Sequence, residues 1–417
     1  MTEHSNIEQP DNWKAAFFTI WTGQAFSLLG SQLVQFALIW YLTIKTGSAT
    51  VLATVSMMAL LPGVFLSPFI GPLIDRWNRR RIMLIADASI ALITFVLAIL
   101  FAFDSIQVWH IYVIMFLRSI GGNFHRPAMT ASTSLMVPKE HLTRVQGVNQ
   151  MLNGGLNIVA APLGALFLEL LPMKSIVAID VVTALIAIVP LLFIQIPQPE
   201  RKPEEIDTKP SIFREMGEGF RYVLSWPGLT VILIMATMIN FFLSPSISLM
   251  PLLIKDHFGG DALQLGWVNA IFGVGVIVGG LALGIWGGFK KRIFTGMMGL
   301  MGIGIGIAMI GMAPSSALYI VMIGNLVMGL MMPLANGSLG GILQATVEPG
   351  MQGRVFTLGG SLATAMMPIG LALAGPLSDR FGIQIWFVIG GIVTLLMGIF
   401  GIAHPAVRRI EQGHVST

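Results

Sequence analysis

The chain has 417 residues, 55% of them hydrophobic and only 11% charged, with a mean hydropathy of +0.80. A soluble protein of that make-up would need an implausibly large dry core, so lipid is the main solvent of this one. The net charge of +4 and pI near 9.5 would suit nucleic acid, but the cations cluster in short turns rather than along a face, and no nucleic-acid partner is expected. The absence of cysteine excludes disulfides, thiolate metal sites and a cysteine nucleophile.

In chain order, Met1 to Lys14 is polar and mixed in charge, and the apolar run after it is too long for a signal-peptide core, so no cleaved leader is expected. Apolar spans follow at 15–42, 48–74, 82–103, 108–130, 145–171 and 175–196, and again at 228–254, 262–287, 293–312, 316–343, 355–377 and 384–404. Each is about long enough to cross a hydrocarbon core of ~30 Å as a helix. They predict an all-α integral membrane protein with 12 transmembrane helices in two six-helix bundles.

With both termini on the cytoplasmic side, eighteen of the 24 cations fall in inner segments, and only Lys45, Lys174, Lys255 and Arg380 fall in outer turns. That asymmetry sets the expected orientation in the cell membrane. The densest inner cluster is Gly71-Pro72-Leu73-Ile74-Asp75-Arg76-Trp77-Asn78-Arg79-Arg80-Arg81, a tight basic turn between spans 2 and 3. Arg79, Arg80 and Arg81 are read as topological anchors. An acid adds little to topology, so Asp75 needs another cause.

The one long hydrophilic stretch, Gln195 to Ser225, contains Pro197, Pro199, Pro203 and Pro210 and charges of both signs. It reads as a cytoplasmic linker ending in an amphipathic helix at about 212–224 that lies on the membrane surface. The expected domains are residues 1–196, a linker at 197–225, and residues 226–417. Traces of duplication agree with this division. Pro127 and Pro333 are 206 residues apart, as are Pro162 and Pro368, and Pro162-Leu163-Gly164-Ala165-Leu166 is similar to Pro368-Ile369-Gly370-Leu371-Ala372. Arg79–Arg81 and Lys290-Lys291-Arg292 occupy matching loops.

The loop at 71–81, Arg118-Ser119-Ile120-Gly121-Gly122 in span 4 and a Pro/Gly-rich span 5 together resemble the major facilitator superfamily over essentially the whole chain. Three further phrases are similar to its macrolide-efflux type of drug/proton antiporter: Gly23 to Ser31 in span 1, Arg126-Pro127-Ala128 before Leu135-Met136-Val137-Pro138, and Ile179-Asp180 in span 6. Two departures stand out. Asn78 occupies the place of the loop's usual glycine, and the antiporter signature of span 5 survives only as Asn157 to Ala165 with its glycines shifted. The resemblance implies a secondary transporter whose loop residues Asp75, Arg76, Arg79 and Arg80 gate the inner side. Asp75 would face the N-terminus of another helix, such as that of span 11.

Ionisable groups at membrane depth are functional candidates by default. Arg118 is near the middle of span 4 and matches the superfamily's arginine there; His125 is seven residues on, on the same helix face. Asp180 and Asp87 each lie roughly 9 Å into the membrane, from opposite sides. These four are the candidates for proton coupling, with a structural polar contact as the alternative for the two acids. Arg126 is read as an interfacial anchor.

A substrate cavity is expected where amides form stripes on apolar helices. Span 1 contributes Gln24, Ser27, Ser31 and Gln35, and span 5 contributes Gln146, Asn149, Gln150, Asn153 and Asn157. The second half adds Asn240, Asn269, Asn325 and Asn336, with Met328 and Met332. Helix–helix hydrogen bonding is the alternative use of the amides. The 26 methionines and 25 phenylalanines offer an adaptable apolar surface suited to bulky lipophilic cargo.

No phosphate-binding Gly-x-x-x-x-Gly-Lys-Ser/Thr loop occurs, so an ion gradient rather than ATP is the expected energy source, and no cofactor or metal is expected. The expectation is a monomeric, non-enzymatic secondary transporter in contact with membrane lipid, exporting amphipathic small molecules such as macrolides in exchange for protons. A carrier of natural cargo, a siderophore or lysophospholipid, is the alternative. A membrane-embedded enzyme is the alternative of another class, disfavoured because the acids are scattered instead of clustered at one membrane face.

Overall fold

The computed structural model describes residues 12–198 and 212–412, and no strand occurs among them. Without water in the hydrocarbon, backbone N–H and C=O groups must pair within their own segment, and the helix does this for every residue of a span. The first six long helices are α1 (Trp13–Thr46), α2 (Ala49–Arg76), α3 (Arg79–Ala102), α4 (Val108–Met136), α5 (Leu142–Leu170) and α6 (Met173–Phe193). After α7 (Ile212–Ser225) come α8 (Pro227–Leu252), α9 (Ala262–Trp286), α10 (Arg292–Met312), α11 (Leu318–Thr346), α12 (Pro349–Phe381) and α13 (Gln384–Ala403), then the short α14 (Pro405–Arg408).

Among the described residues eleven helices are long and apolar enough to cross a membrane. The remaining long helix, α4, has the length at 29 residues but carries Arg118, Asn123, His125, Arg126 and several hydroxyls. Its polar face is the price of the site it carries. Large apolar side chains are bare on the outside of the molecule, Ile285 at 88% and Phe193 at 80% exposure, as lipid contact requires.

Helix ends follow local chemistry. Asn78, the residue that departs from the loop pattern, is the N-cap of α3: at φ −67°, ψ 114° its side chain accepts from the Arg81 N–H at 3.1 Å. Arg80 donates from Nε and Nη2 to the carbonyls of Leu191 and Leu192, both at 2.5 Å, so a cation satisfies the last turn of α6. The Arg79 N–H donates to Gln198 Oε1 at 3.2 Å. Arg76 is exposed. The backbone of Asp75 is in the last turn of α2; its side chain lies outside the described residues.

Contacts divide the chain into two compact units. The first comprises Met1–Leu38, Met58–Leu156 and Leu166–Lys209, and the second Ile39–Met57, Asn157–Ala165 and Pro210–Thr417. Helices α1, α2 and α5 therefore each contribute residues to both. The first unit has an apolar core around Phe17, Ile20, Ile70, Ile74, Met83, Met136 and Leu191.

In the second unit, glycines let α9, α10, α11 and α13 pack backbone to backbone. A Cβ on Gly279 would stand 2.2 Å from the Leu330 carbonyl oxygen, and one on Gly304 would stand 2.4 Å from the Leu395 nitrogen. Gly280 and Gly284, by contrast, face open space. The amphipathic α7 docks on α12 through Glu218, whose carboxylate meets Arg354 at 3.0 Å and Arg214 at 3.2 Å. Val223 and the following Trp226 are buried, while Phe220 and Leu224 are exposed.

Candidate functional site

Three helices of the first unit each carry two polar residues seven apart: Gln24 and Ser31 on α1, Asp87 and Thr94 on α3, Arg118 and His125 on α4. Seven residues are two helical turns, so each pair shares a face and is separated by about 10.5 Å along its helix. Because α3 and α4 are consecutive and run in opposite directions, Asp87 meets His125 and Thr94 meets Arg118. The six residues thus form two polar layers inside an apolar bundle.

In one layer Asp180 of α6 gathers all its partners. Its Oδ1 accepts from Ser31 Oγ at 2.9 Å, and its Oδ2 accepts from Thr94 Oγ1 at 3.2 Å and from Arg118 Nη1 at 2.5 Å. Arg118 also donates to Thr94. Asp180 is 1% exposed, so this is a dry carboxylate whose charge is offset by one guanidinium and two hydroxyls contributed by three other helices. The close approach of α1 and α6 that permits it depends on Gly30, where a Cβ would stand 2.2 Å from Thr183 Oγ1.

The other layer is less saturated. Asp87 Oδ2 accepts from Gln24 Nε2 at 2.8 Å, and Oδ1 stands 3.3 Å from His125 Nε2, an ion-pair distance at which that ring nitrogen makes no hydrogen bond. Asp87 and His125 are both buried, yet both line a cavity of about 510 Å³ with Gln24, Ser27, Ser31, Gln35, Arg118 and Arg126. Asp180 is not among its lining residues. A second cavity, of about 260 Å³, shares Gln24, Leu28, His125 and Arg126 with the first. The Asp87 layer stands at their junction. The second cavity is walled by Gln146, Asn149, Gln150 and Asn153 of α5, and Trp21 Nε1 donates to Asn149 Oδ1 at 2.7 Å.

The residues expected from the second half are dispersed. Asn325 and Met328 line a small cavity of about 160 Å³ with Asn269 and Ser246. The Asn325 amide donates to its own helix at Val321 O (3.0 Å) and the Asn240 amide to Ala236 O (2.9 Å). Asn157, Asn336 and Met332 are exposed and line none of these cavities. Thr94 and Trp21 belong to the site although sequence reasoning passed over them. The seven-residue spacing from Asp87 was the available signal for Thr94. Among the described residues no group of three His, Asp or Glu could hold a metal ion.

Paired buried charges and amide-lined cavities within long apolar helices are the furnishings of a solute pathway. Comparison with known proteins agrees. Residues 12–416 match the transmembrane secretion effector family of the major facilitator type. The chain is 37% identical over 405 residues to macrolide efflux protein A of Streptococcus pyogenes, covering 97% of this chain and all of that one. It is 25% identical to the multidrug efflux pump Tap of Mycolicibacterium fortuitum, over 92% of this chain and 94% of that one. Among solved structures, the nucleoside transporter NupG aligns over 94% of this chain and 99% of that one with a TM-score of 0.72 at 13% identity. A D-xylose–proton symporter aligns over 91% and 96% with a TM-score of 0.64 at 12% identity. With nearly its whole length matched, the chain belongs to the transmembrane secretion effector family of major facilitator transporters.

Proposed function

We propose that this protein exports lipophilic small molecules, macrolides foremost, in exchange for protons. The observation that carries the coupling is the Asp87–His125 pair at the junction of the two cavities: a buried acid beside a buried histidine whose facing ring nitrogen makes no hydrogen bond. A proton arriving at Asp87 removes a buried charge and frees His125. Cargo entering the cavity competes for the same space. Asp180 is the poorer proton carrier of the two, since protonation would take from the largely buried Arg118 guanidinium the carboxylate it is paired with. Arg118 and Asp180 then act as the rigid post against which the Asp87 layer changes.

The names of the relatives support export and macrolide cargo. Transport would proceed by rocking of two halves, 1–196 and 226–417, joined by the linker at 197–225, with both termini in the cytoplasm. The protein would work as a monomer in the cell membrane.

The test is performed in inside-out vesicles whose lumen has been acidified by respiration. Adding a macrolide should dissipate the pH gradient with wild type and leave it intact with Asp87→Asn, whose amide oxygen keeps the Gln24 hydrogen bond. Dissipation by Asp87→Asn at the wild-type rate would remove Asp87 from the coupling. No response of folded wild type to any lipophilic compound would overturn drug export and favour lipid or siderophore cargo.

A further inference from the structure

The heptapeptide Gly375-Pro376-Leu377-Ser378-Asp379-Arg380-Phe381, at the C-terminal end of α12, repeats Gly71-Pro72-Leu73-Ile74-Asp75-Arg76-Trp77 at the C-terminal end of α2. Five of the seven residues are identical, and the last is aromatic in both. Spans 2 and 11 run in opposite directions across a bilayer, so the two copies belong to opposite membrane faces, the α12 copy on the face of Lys45, Lys255 and Arg380.

Within the second compact unit the α12 copy is engaged. The Asp379 carboxylate accepts from the Ala49 N–H at 2.7 Å, the Thr50 N–H at 3.0 Å and Ser48 Oγ at 3.1 Å. These are the first backbone donors of α2, which no intrahelical carbonyl can satisfy. Ser48 Oγ in turn accepts from the Val51 N–H at 3.3 Å, so the whole first turn of α2 is capped, most of it by a residue about 330 positions away. One turn back on the same face, Gly375 lets the backbones touch: a Cβ there would stand 2.8 Å from Thr50 Cα. A complementary contact grips the preceding helix, where Lys255 Nζ donates to the Thr43 carbonyl in the last turn of α1 at 3.1 Å. An acid on the positive end of α2 and a cation on the negative end of α1 together clasp the α1–α2 hairpin. At the matching place of the α2 copy, a Cβ on Gly71 would meet nothing within 4 Å among the described residues.

We propose that Asp379 and Gly375 form the outer latch of the transport cycle: they hold α12 on the first turn of α2 while the outer side is shut, and opening outward requires the carboxylate to leave those amides. This rests on the reading of the protein as an alternating-access transporter, but its test needs neither cargo nor protons. The chain has no cysteine of its own. Spin labels can therefore be placed at Lys45→Cys and Ile385→Cys, and their separation measured by pulsed electron resonance in lipid nanodiscs.

Wild type should give a predominant short distance. Asp379→Asn should lower that population relative to a longer one by about two- to fivefold, the weight of one charge at a helix terminus. Asp379→Glu should restore much of it, and Gly375→Leu should abolish it. High salt should weaken the wild-type latch but not change the asparagine variant. An unchanged distribution in folded, monodisperse Asp379→Asn would overturn the latch, and so would a wild type lacking the short distance. If the latch responds as expected while macrolides fail to discharge vesicles, the conformational device stands and only the cargo assignment falls.

Discussion

Asp180 and Asp87 have the same chemistry and similar burial, and what separates them is the number of partners each has collected. Asp180 has a guanidinium and two hydroxyls; Asp87 has one amide and a histidine nitrogen out of hydrogen-bonding alignment. Breaking a buried pair by removing one partner costs about 3–5 kcal/mol, because the survivor is left charged in low dielectric. Arg118→Ala is therefore expected to destabilise by that order, while Arg118→Met with Asp180→Leu should recover much of the loss. Thermal unfolding of the purified protein in detergent checks this through a double-mutant cycle; additive losses would mean that the pair does not exist as an energetic unit. Arg118, His125, Asp87 and Asp180 all stood out in the sequence as charges at membrane depth. Their pairing did not, because four residues on three helices can be matched in more than one way until the crossing of those helices is known.

At the scale of the helix, sevenfold spacing organises the first unit. Gly23 and Gly30 repeat it on another face of α1, where hypothetical Cβ atoms would stand 3.0 Å from the Ile186 carbonyl oxygen and 2.2 Å from Thr183 Oγ1. Gly30→Val should force α1 from α6, separate Ser31 from Asp180 and cost about 1–3 kcal/mol through overpacking. Its measurable consequence is a lowered unfolding temperature together with loss of transport, whereas Gly71→Val, facing open space, should leave the unfolding temperature unchanged. The amide stripes of α1 and α5 were legible from periodicity, since an apolar helix gives few reasons for repeated glutamine and asparagine. The amides of the second half were less informative. A lone asparagine in an apolar helix can satisfy its amide N–H on the carbonyl four residues back, as Asn240 and Asn325 do, and composition does not distinguish that use from cavity lining.

Across the whole molecule, the distribution of cations leads to a further expectation. Single cysteines at Lys45 and Arg380 should react with a membrane-impermeant maleimide added to intact cells, and single cysteines at Arg81 and Arg409 should react only after the membrane is opened. The reverse pattern would overturn the proposed orientation. The sequence by itself determined the solvent, the helical class and the approximate spans, and it set the expected orientation and the expected depth of the ionisable groups. Each of these depends on local composition and on the cost of moving polar groups into hydrocarbon, which acts on every segment separately. Only the tertiary structure decided that Asp180 belongs to Arg118 and Asp87 to His125, that Asn78 caps α3 while Arg80 closes α6, and that Asp379 reaches back to the first turn of α2. Those contacts join residues up to about 330 positions apart and depend on where helices cross, a property of side-chain packing over the whole fold that no single segment encodes.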